Sequence, residues 1–464
     1  MTTPLKLLHT ADWHLGKYLG AFSRFDEQRA VLAEICTIAD REDVDVVLVA
    51  GDLYDTANAS NEAMELLYTT LKRLAFDKSR GKHRPVIAIA GNHDSPERVQ
   101  APDILAQHNG ILLAGFPDTR FPTFSLESES GAAWSVHRSD KGFVELHLPN
   151  KPPLRLLLVP YCNELRLKKA FASDDAARAE QEMRELLRER WHVLAQTYCA
   201  EPANPPGVNV MLAHVFMMRR HSQALPERAE ELVEQTEQLE AEQLEEPDGE
   251  KPILHVGGAQ ALYTDHLPSR LHYVALGHLH RRQTLAHVPC PVVYSSSPLQ
   301  YSMSEAEQQK YVVIVEAEPH KPVTVRDVPL SAGKRLLRRT FESVPEAVQW
   351  LQEHPNTLVE LTLITPTFLT AHQRRQIEQA HDGIVQLLPL VKHIPESPHT
   401  ASVANTLSII DLSESIERLF TRYFAAENGG QLPNDELLDL FNEVLAATPN
   451  QPQSFTESLT ENAL

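Results

Sequence analysis

The chain has 464 residues, of which 42% are hydrophobic, and carries a formal net charge of −20. This length exceeds the size at which one hydrophobic core usually stops growing, so we expect two or more domains. No run of about 18 apolar residues occurs, so we expect no membrane-spanning helix. The N-terminus lacks the features of a secretory signal and the four cysteines are scattered, so we expect a cytoplasmic protein with reduced thiols.

The negative charge is concentrated in two segments. Residues 226–250 contain eleven acidic residues and one Arg, a net charge of −10, and residues 405–464 contain ten acidic residues and two Arg, a net charge of −8. The rest of the chain is therefore nearly balanced. A nucleic-acid footprint is a local property, so the global charge neither supports nor excludes DNA as a partner. We interpret the acidic insert at about 220–250 as a solvated segment, with a weak helix as the alternative.

The first third of the chain alternates between buried strands and amphipathic helices. Strands are predicted at Leu5–Leu8, Val44–Val49 and Val86–Ile89, and helices at Arg24–Arg41 and after Ser60, a plausible N-cap. This alternation is typical of right-handed βαβ units, and it predicts a parallel sheet.

Short alternating runs broken by Pro, Gly and Ser follow from residue 116 and predict a second sheet layer. The further predicted elements of this first domain, residues 1–335, are a charged helix at Ala176–Thr197 and strands at Val144–Leu148, Leu154–Val159, Val208–Leu212, Tyr273–Leu276, Tyr311–Val315 and Val323–Val328.

The remaining residues predict a smaller α+β domain at 336–400, C-terminal helices at 401–450 and a disordered tail at 451–464. The predicted elements of the small domain are strands at Arg338–Phe341 and Leu358–Ile364 and helices at Pro345–Glu353 and Ala371–Ala380. An apolar stripe within residues 437–445 is a candidate docking helix for a partner, and packing on its own domain is an equally good interpretation. No phosphate-binding loop of the type G-x-x-x-x-G-K-S/T is present, so we expect no ATP site in this chain.

Five predicted strands stop abruptly at clusters of Asp, His or Asn. The clusters are Asp12-Trp13-His14, Gly51-Asp52-Leu53-Tyr54-Asp55, Gly91-Asn92-His93-Asp94, Ala213-His214 and Gly277-His278-Leu279-His280. In open α/β sheets, ligand sites form beyond the carboxyl ends of the strands, so these clusters can converge. Carboxylate, imidazole and amide oxygen are ligands for divalent transition metals. The pattern therefore predicts a dinuclear metal site.

Each motif alone has a simpler interpretation. Asp12-x-His14 can arise by chance, Asp52 can cap the next helix, and a lone histidine such as His214 is usually a satisfied core residue. The combination of all five in this order is what favours the metal site.

The ordered constellation resembles the calcineurin-like metallophosphoesterase family. The resemblance implies an α/β fold, a two-sheet metallophosphoesterase sandwich flanked by helices, followed here by the smaller α+β domain and the C-terminal helices. It also implies that one metal is held by Asp12, His14 and His280, that the other is held by Asn92, His214 and His278, and that Asp52 bridges them. In the same family, His93 would protonate the leaving oxygen and Asp55 would orient His93.

Wider stretches resemble the SbcD family of nuclease subunits within that superfamily. They are His9–Lys17, Ala50–Thr56, Ala90–Ser95, Tyr273–Arg281, Ser297–Leu299, Ser302–Glu305 and Lys310–Tyr311. This resemblance implies a DNA exo- and endonuclease of recombination and repair, with Mn²⁺ as its metal, associated with the nucleoid when on DNA. It further implies a coiled-coil ATPase partner of the SbcC type, with this chain as a homodimer within a heterotetramer. The chain departs from the family at Ser296, where Gly is usual, and in its acidic insert.

Lys17, Arg24 and Arg98 follow the predicted strand ends and are candidates for contacts with DNA phosphates, although solvated surface charge is the alternative for each. Two other functions stay open. A stand-alone phosphodiesterase acting on small nucleotides would hydrolyse a chromogenic phosphodiester without cutting DNA. A scaffold that tethers DNA ends would bind metal and DNA without cleavage.

Overall fold

The computed structural model describes residues 3–128, 131–167, 176–201, 204–219, 262–287, 289–366 and 369–391, with a few separate positions from 420 to 441. The acidic insert at 226–250 and the predicted tail at 451–464 lie outside the described residues, as does most of the segment 401–450. Of the apolar stripe, Leu437, Leu438 and Phe441 are described, all three as helical. The ring of Phe441 stacks on that of Phe420, with centroids 3.9 Å apart.

The first sheet has six strands and combines parallel and antiparallel pairing. In spatial order its strands are Thr324–Pro329, Tyr311–Ala317, Leu5–Thr10, Val46–Val49, Val86–Ile89 and Ile111–Ala114. The last four are parallel to one another, so their carboxyl ends lie at one edge. The strand predicted from Val44 begins two residues later, because the N–H of Val44 still donates to the carbonyl of Ala39 at the end of the preceding helix.

The second sheet has eight strands and forms the second layer that the sequence predicts. In spatial order its strands are Gln283–Ala286, Val292–Tyr294, Tyr273–Gly277, Val208–His214, Leu154–Val159, Phe143–His147, Gly131–Asp140 and Phe124–Ser128. Its second to fifth strands, from Val292–Tyr294 to Leu154–Val159, are parallel. Both sheets therefore present parallel carboxyl ends.

Alternating side chains explain how the layers pack. Leu5, Leu7, Leu156, Val210 and their neighbours fill one core that contains residues from both sheets. The opposite face of the first sheet packs on Phe25–Arg41 and Asn61–Ala75, and that of the second sheet on Ala176–Cys199. The result is a sandwich of two sheets between helices, which confirms the predicted fold class.

The helices begin and end close to the predicted residues. Ser60 is the N-cap of its helix as predicted, because its hydroxyl accepts a hydrogen bond from the N–H of Ala63. The described α-helices are Phe25–Arg41, Asn61–Ala75, Pro96–Gln100, Asp103–Gln107, Glu164–Leu167, Ala176–Cys199, Val344–Glu353 and Ala371–Ala380. None of the helices in the described part of the chain is both long enough and apolar enough to cross a membrane.

By compactness the chain divides into two units. The first comprises residues 1–338, 355–360 and 383–386, and the second comprises 339–354, 361–382 and 387–464. A third sheet follows the sandwich in the chain, with the strand order Arg335–Phe341, Thr357–Thr365 and Ile384–Val391. The predicted domain boundaries at 335, 400 and 450 remain predictions. Three short two-stranded ribbons complete the strands of the described residues: Tyr18–Leu19 with Phe22–Ser23, Phe76–Asp77 with Lys82–His83, and Met217–Met218 with Leu262–Tyr263.

Candidate metal centre

Backbone hydrogen bonds connect the loop after the strand Leu5–Thr10 with the loop after the strand Val46–Val49. The N–H of Asp12 donates to the carbonyl of Gly51, and the N–H of His14 donates to that of Asp52, each at 2.9 Å. Asp12, His14 and Asp52 all adopt positive φ, with values of 55°, 43° and 49°. Such conformations are uncommon for residues other than Gly, and they cluster at functional sites. The chain thus accepts local backbone strain where these three side chains turn into the crevice.

Two glycines let the strand-end loops approach one another. A Cβ atom on Gly91 would collide with the carboxylate and the backbone of Asp52, and one on Gly277 would collide with the carbonyl of Ala50. Neither neighbour is the far end of a flexible side chain, so no other residue fits at these positions. Gly91 is therefore required for two loops of the first sheet to approach each other, and Gly277 for a loop of the second sheet to approach the first.

The first predicted group of metal ligands is assembled. Asp12, His14 and His280 are buried, and one ligand atom from each lies within 4.8 Å of the others. The Nε2 atoms of His14 and His280 are 2.9 Å apart. Two imidazole nitrogens face each other this closely when one donates to the other, or when both face a common cation.

The second predicted group lies beside the first. The Oδ1 atom of Asn92 is 2.8 Å from Nε2 of His214 and 3.0 Å from Nδ1 of His278. The Oδ2 atom of Asp52 lies 3.5 Å from Nε2 of His14 and 3.4 Å from Nε2 of His214. Asp52 thus stands between the two groups, where a bridging carboxylate would be needed.

Unmatched polar atoms test whether this site suits cations. Four buried side-chain atoms here have no hydrogen-bond partner among the described residues: Asp12 Oδ2, Asp52 Oδ2, His14 Nδ1 and Asn92 Nδ2. An unpaired buried carboxylate oxygen is costly, and a bound cation removes that cost. With four imidazoles, two carboxylates and an amide oxygen converging, the donor set fits two divalent transition metals.

The charges within the site point the same way. Burial lowers the pKa of His14 to about 4, so its ring is neutral and offers a lone pair. Burial raises the pKa of Asp12 to about 7. For His214, burial lowers the pKa, but the charges of Asp52 and Asp12 outweigh it and raise the pKa to about 9. In the protein alone, the His214 imidazolium therefore balances the carboxylates, a role that bound cations would take over.

His93 lies at the edge of this cluster and is half-buried. Its Nδ1 donates to the backbone carbonyl of Asp55 at 2.8 Å, and its backbone N–H donates to Asp52 Oδ1 at 2.9 Å. The Asp55 carboxylate faces elsewhere, at 2.8 Å from Nζ of Lys17 and 3.6 Å from Nδ1 of His14. The contact of Asp55 that orients His93 is therefore its main-chain carbonyl, which a motif of side chains does not reveal.

The three candidates for DNA contacts differ in their surroundings. Arg98 is exposed, and Lys17 is partly exposed beside the Asp55 carboxylate. Arg24 is fully buried, and its guanidinium donates to the Glu27 carboxylate and to the carbonyl of Gln300. A cation with no exposed surface and with its donors engaged is not available to a phosphate. The expectation for Arg24 is therefore wrong.

Sequence reasoning gave no role to several residues that hold the site in place. The Asp94 carboxylate accepts hydrogen bonds from the backbone N–H groups of Gly91, Leu53 and Tyr54, at 2.8–3.0 Å. It therefore ties the Asn92 loop to the Asp52 loop. Arg166 reinforces this tie by donating to the carbonyls of Gly91 and Asp94, at 2.7 and 2.6 Å. Asp94 belongs to one of the strand-end clusters, whereas nothing around Arg166 in the sequence marks its contact across 72 residues.

Comparisons with known proteins found a matching family and several similar proteins. The family described as calcineurin-like phosphoesterase matches residues 5–156. The chain is 31% identical over 453 residues to a protein of Bacillus subtilis (strain 168) named as the SbcD subunit of the nuclease SbcCD, covering 96% of this chain and 99% of the relative. Proteins with the same name from Rhodobacter capsulatus and Staphylococcus epidermidis are 30% and 25% identical over 334 and 338 residues. They cover 70% and 72% of this chain, and 71% of each relative is matched.

Proposed function

The chain belongs to the SbcD family of calcineurin-like phosphoesterases, and from that premise we propose that it is a metal-dependent DNA nuclease subunit. The proposed reactions are exonuclease action on double-stranded ends and endonuclease action on single strands and hairpins, in recombination and repair. The observation that carries this proposal is the convergence of ligand side chains from five strand ends, with buried carboxylate and imidazole atoms among them left unmatched. A structural cluster would pair those atoms within the protein.

The predicted ligand sets remain our assignment of the metal site. One cation would be held by Asp12, His14 and His280, and the other by Asn92, His214 and His278, with Asp52 shared. Mn²⁺ is the proposed metal because the resemblance to the SbcD family implies it. The ligand types by themselves suit several divalent metals. Bound divalent cations would supply Lewis-acid polarisation of the phosphodiester and lower the pKa of an attacking water.

His93 is the proposed general acid. Because the Asp55 carbonyl can only accept, Nδ1 of His93 must carry the proton in that contact, and Nε2 is the nitrogen that we propose exchanges a proton with substrate. The half-buried ring lies beside the metal ligands, with its centroid 4.7 Å from that of His14. A leaving alkoxide at this edge of the site would meet His93 without displacing a metal ligand.

DNA, an ATPase partner and a defined assembly complete the proposal. Lys17, which is partly exposed beside the Asp55 carboxylate, and the exposed Arg98 are the proposed phosphate contacts. The resemblance to the SbcD family implies a coiled-coil ATPase partner of the SbcC type, and we propose that this partner contributes nucleotide turnover and DNA-binding charge. A homodimer of this chain within a heterotetramer, organised as the predicted domains 1–335, 336–400 and 401–450, is part of the same proposal.

The test is cleavage of an end-labelled hairpin DNA in Mn²⁺, with and without a co-purified ATPase and ATP. We expect cutting that a chelator abolishes and that partner and ATP stimulate. Hydrolysis of a chromogenic phosphodiester with no cutting of DNA under either condition would instead establish a small-molecule phosphodiesterase. Bound metal and bound DNA with no hydrolysis of either substrate would point to a tethering scaffold.

A further inference from the structure

A buried ion pair lies directly behind one of the proposed metal ligands. Glu305 and Lys310 are only 3% and 5% exposed, and their side chains form an ion pair with each other. The Oε1 atom of Glu305 is 3.1 Å from Nδ1 of His280, and Nζ of Lys310 donates to the carbonyl of His280 at 2.8 Å. The pair thus contacts both the ring and the backbone of the same histidine.

The contact from Glu305 fixes which nitrogen of His280 carries the proton. An ionised carboxylate can only accept, so the Nδ1 atom of His280 must donate. The Nε2 atom then keeps its lone pair, and it is this atom that faces Nε2 of His14 at 2.9 Å. A carboxylate behind a histidine also makes the ring a stronger ligand and holds its orientation.

The local fold holds Glu305 in this position. Ser302 is the N-cap of the single turn Met303–Glu305, with its hydroxyl accepting from the N–H of Ser304 at 3.2 Å. The N–H of Tyr301 donates to Oε1 of Glu305 at 3.3 Å. Lys310 comes directly before the strand Tyr311–Ala317 of the first sheet. The turn and the sheet therefore fix the two ends of the ion pair.

Stability alone is a poor reason for such a pair. Two charges removed from water often contribute no more to stability than a well-packed apolar pair of similar volume. A buried pair that contacts one histidine through its ring and its carbonyl is better explained by a role at that histidine.

We propose that Glu305 is a positioning residue for the metal ligand His280, and that Lys310 holds the Glu305 carboxylate in place. The inference rests on the metal site of the proposed function and not on DNA as the substrate. The second metal group is built differently, because Nδ1 of His214 donates to the neutral carbonyl of Ala50 at 2.8 Å. Loss of Glu305 should therefore weaken one metal and spare the other.

Calorimetric titration of the metal-free protein with Mn²⁺ tests this asymmetry. In Glu305→Gln we expect one of the two sites to lose about 10–100-fold in affinity, the usual effect of removing a group that supports a ligand. The site of Asn92, His214 and His278 should stay within about threefold of the wild type. Electron paramagnetic resonance gives a second readout, since the variant at limiting Mn²⁺ should show isolated ions where the wild type shows a coupled pair.

Glu305→Asp guards against a variant that fails to fold. It keeps a negative charge for Lys310 but withdraws the carboxylate from His280 by one methylene group, so we expect the same selective loss in a stably folded protein. Gln309→Leu is the matched control on the same loop, because Gln309 donates to the carbonyls of Leu330 and Lys310. It should leave both Mn²⁺ affinities unchanged.

Three outcomes would overturn the inference: unchanged affinities in Glu305→Asp, equal weakening of both sites, or an equal loss in Gln309→Leu. The last would show that the loop matters only as a scaffold. A wild-type protein that binds no Mn²⁺ would instead refute the metal site of the proposed function. Selective loss of one site in a protein that does not cut DNA would leave the inference standing and discard only the substrate.

Discussion

Two regions of the sandwich bring histidines and carboxylates together, and they differ in what balances the charge. At the strand ends, ligand atoms of Asp12, Asp52 and His214 lie within 4.8 Å of one another, and so do those of His137, Glu145 and His147 on the second sheet. By composition, either group could hold a metal. The hydrogen bonds that their carboxylates accept distinguish the two clusters.

The Glu145 cluster is already neutralised by the protein. The Glu145 carboxylate accepts from Nε of Arg155 at 2.9 Å, from Nε2 of His147 at 2.8 Å, and from Arg138. The buried side-chain atom without a hydrogen-bond partner in this cluster is Nε of Arg138. It belongs to a positively charged guanidinium, which repels a metal cation. At the strand ends the unmatched atoms include carboxylate oxygens, which attract one. The unmatched carboxylate oxygens therefore distinguish the strand-end cluster as the candidate metal site.

The sharpest test of this comparison is Asp52→Asn. Because the carboxylate stands between both ligand groups, its loss should weaken both metals together and lower cleavage by on the order of 10²–10³-fold. Calorimetric titration with Mn²⁺ and a hairpin cleavage assay measure the two effects. Glu145→Gln is the matched control and should retain two Mn²⁺ per chain. Selective loss of one metal in Asp52→Asn would contradict the bridge, and loss of a metal in Glu145→Gln would erase the distinction between the clusters.

A second test separates chemistry from metal binding. His93→Ala should keep nearly full Mn²⁺ occupancy and lose about 10²–10⁴-fold in cleavage, the usual contribution of a general acid. The measurement is single-turnover cleavage beside a metal titration. His137→Ala removes an exposed histidine of the other cluster and should change neither quantity. If His93→Ala lost both metals, His93 would be a ligand and not the proton donor.

Much of this site could be predicted because its residues follow buried strands. Apolar runs predict parallel strands, and their carboxyl ends share an edge, so residues as distant as Asp12 and His280 could be expected to meet. The contacts that orient these residues could not be predicted in the same way. The carbonyls of Ala50 and Asp55 are present in any sequence, and their roles appear only once the loops have folded.

Long-range side-chain contacts are equally hard to predict from sequence. Arg24 resembles a surface cation because it precedes a helix, but it donates to the carbonyl of Gln300, 276 residues away. Likewise, Glu305 belongs to a stretch that carries the family resemblance, yet its contact with His280 depends on how the turn Met303–Glu305 packs. The strand Ile384–Val391 is also absent from the predicted elements, and the proline within it, Pro389, is a residue that argues against a strand.

A smaller effect is expected on stability. Glu145→Gln leaves Arg155, which is 1% exposed, without its ionised partner, so the free energy of unfolding should fall by about 3 kcal/mol. Urea unfolding of the metal-free proteins measures this change. Replacing the pair together, with Glu145→Leu and Arg155→Met, should recover part of the loss, because no unpaired buried charge remains. A double variant less stable than Glu145→Gln would show that the residual Arg155 contacts with Pro205 and Asn209 matter more than the ion pair.

The smallest expected effect is the pH dependence of the difference in the free energy of unfolding between the wild type and Glu145→Gln. Burial would raise the pKa of Glu145, but hydrogen bonds from Arg138, His147 and Arg155 outweigh it and lower the pKa from 4.5 to about 2. A carboxyl whose pKa is lower in the folded state stabilises the fold above its unfolded pKa and loses that contribution as the pH falls. The stability difference between wild type and Glu145→Gln, no more than about 3 kcal/mol, should therefore be constant above pH 5 and shrink towards pH 2. Unfolding of both proteins across this range measures it. A difference that persisted at pH 2 would mean that Glu145 acts through packing and not through its charge, and the contrast between the two clusters would then no longer rest on how each neutralises its carboxylates.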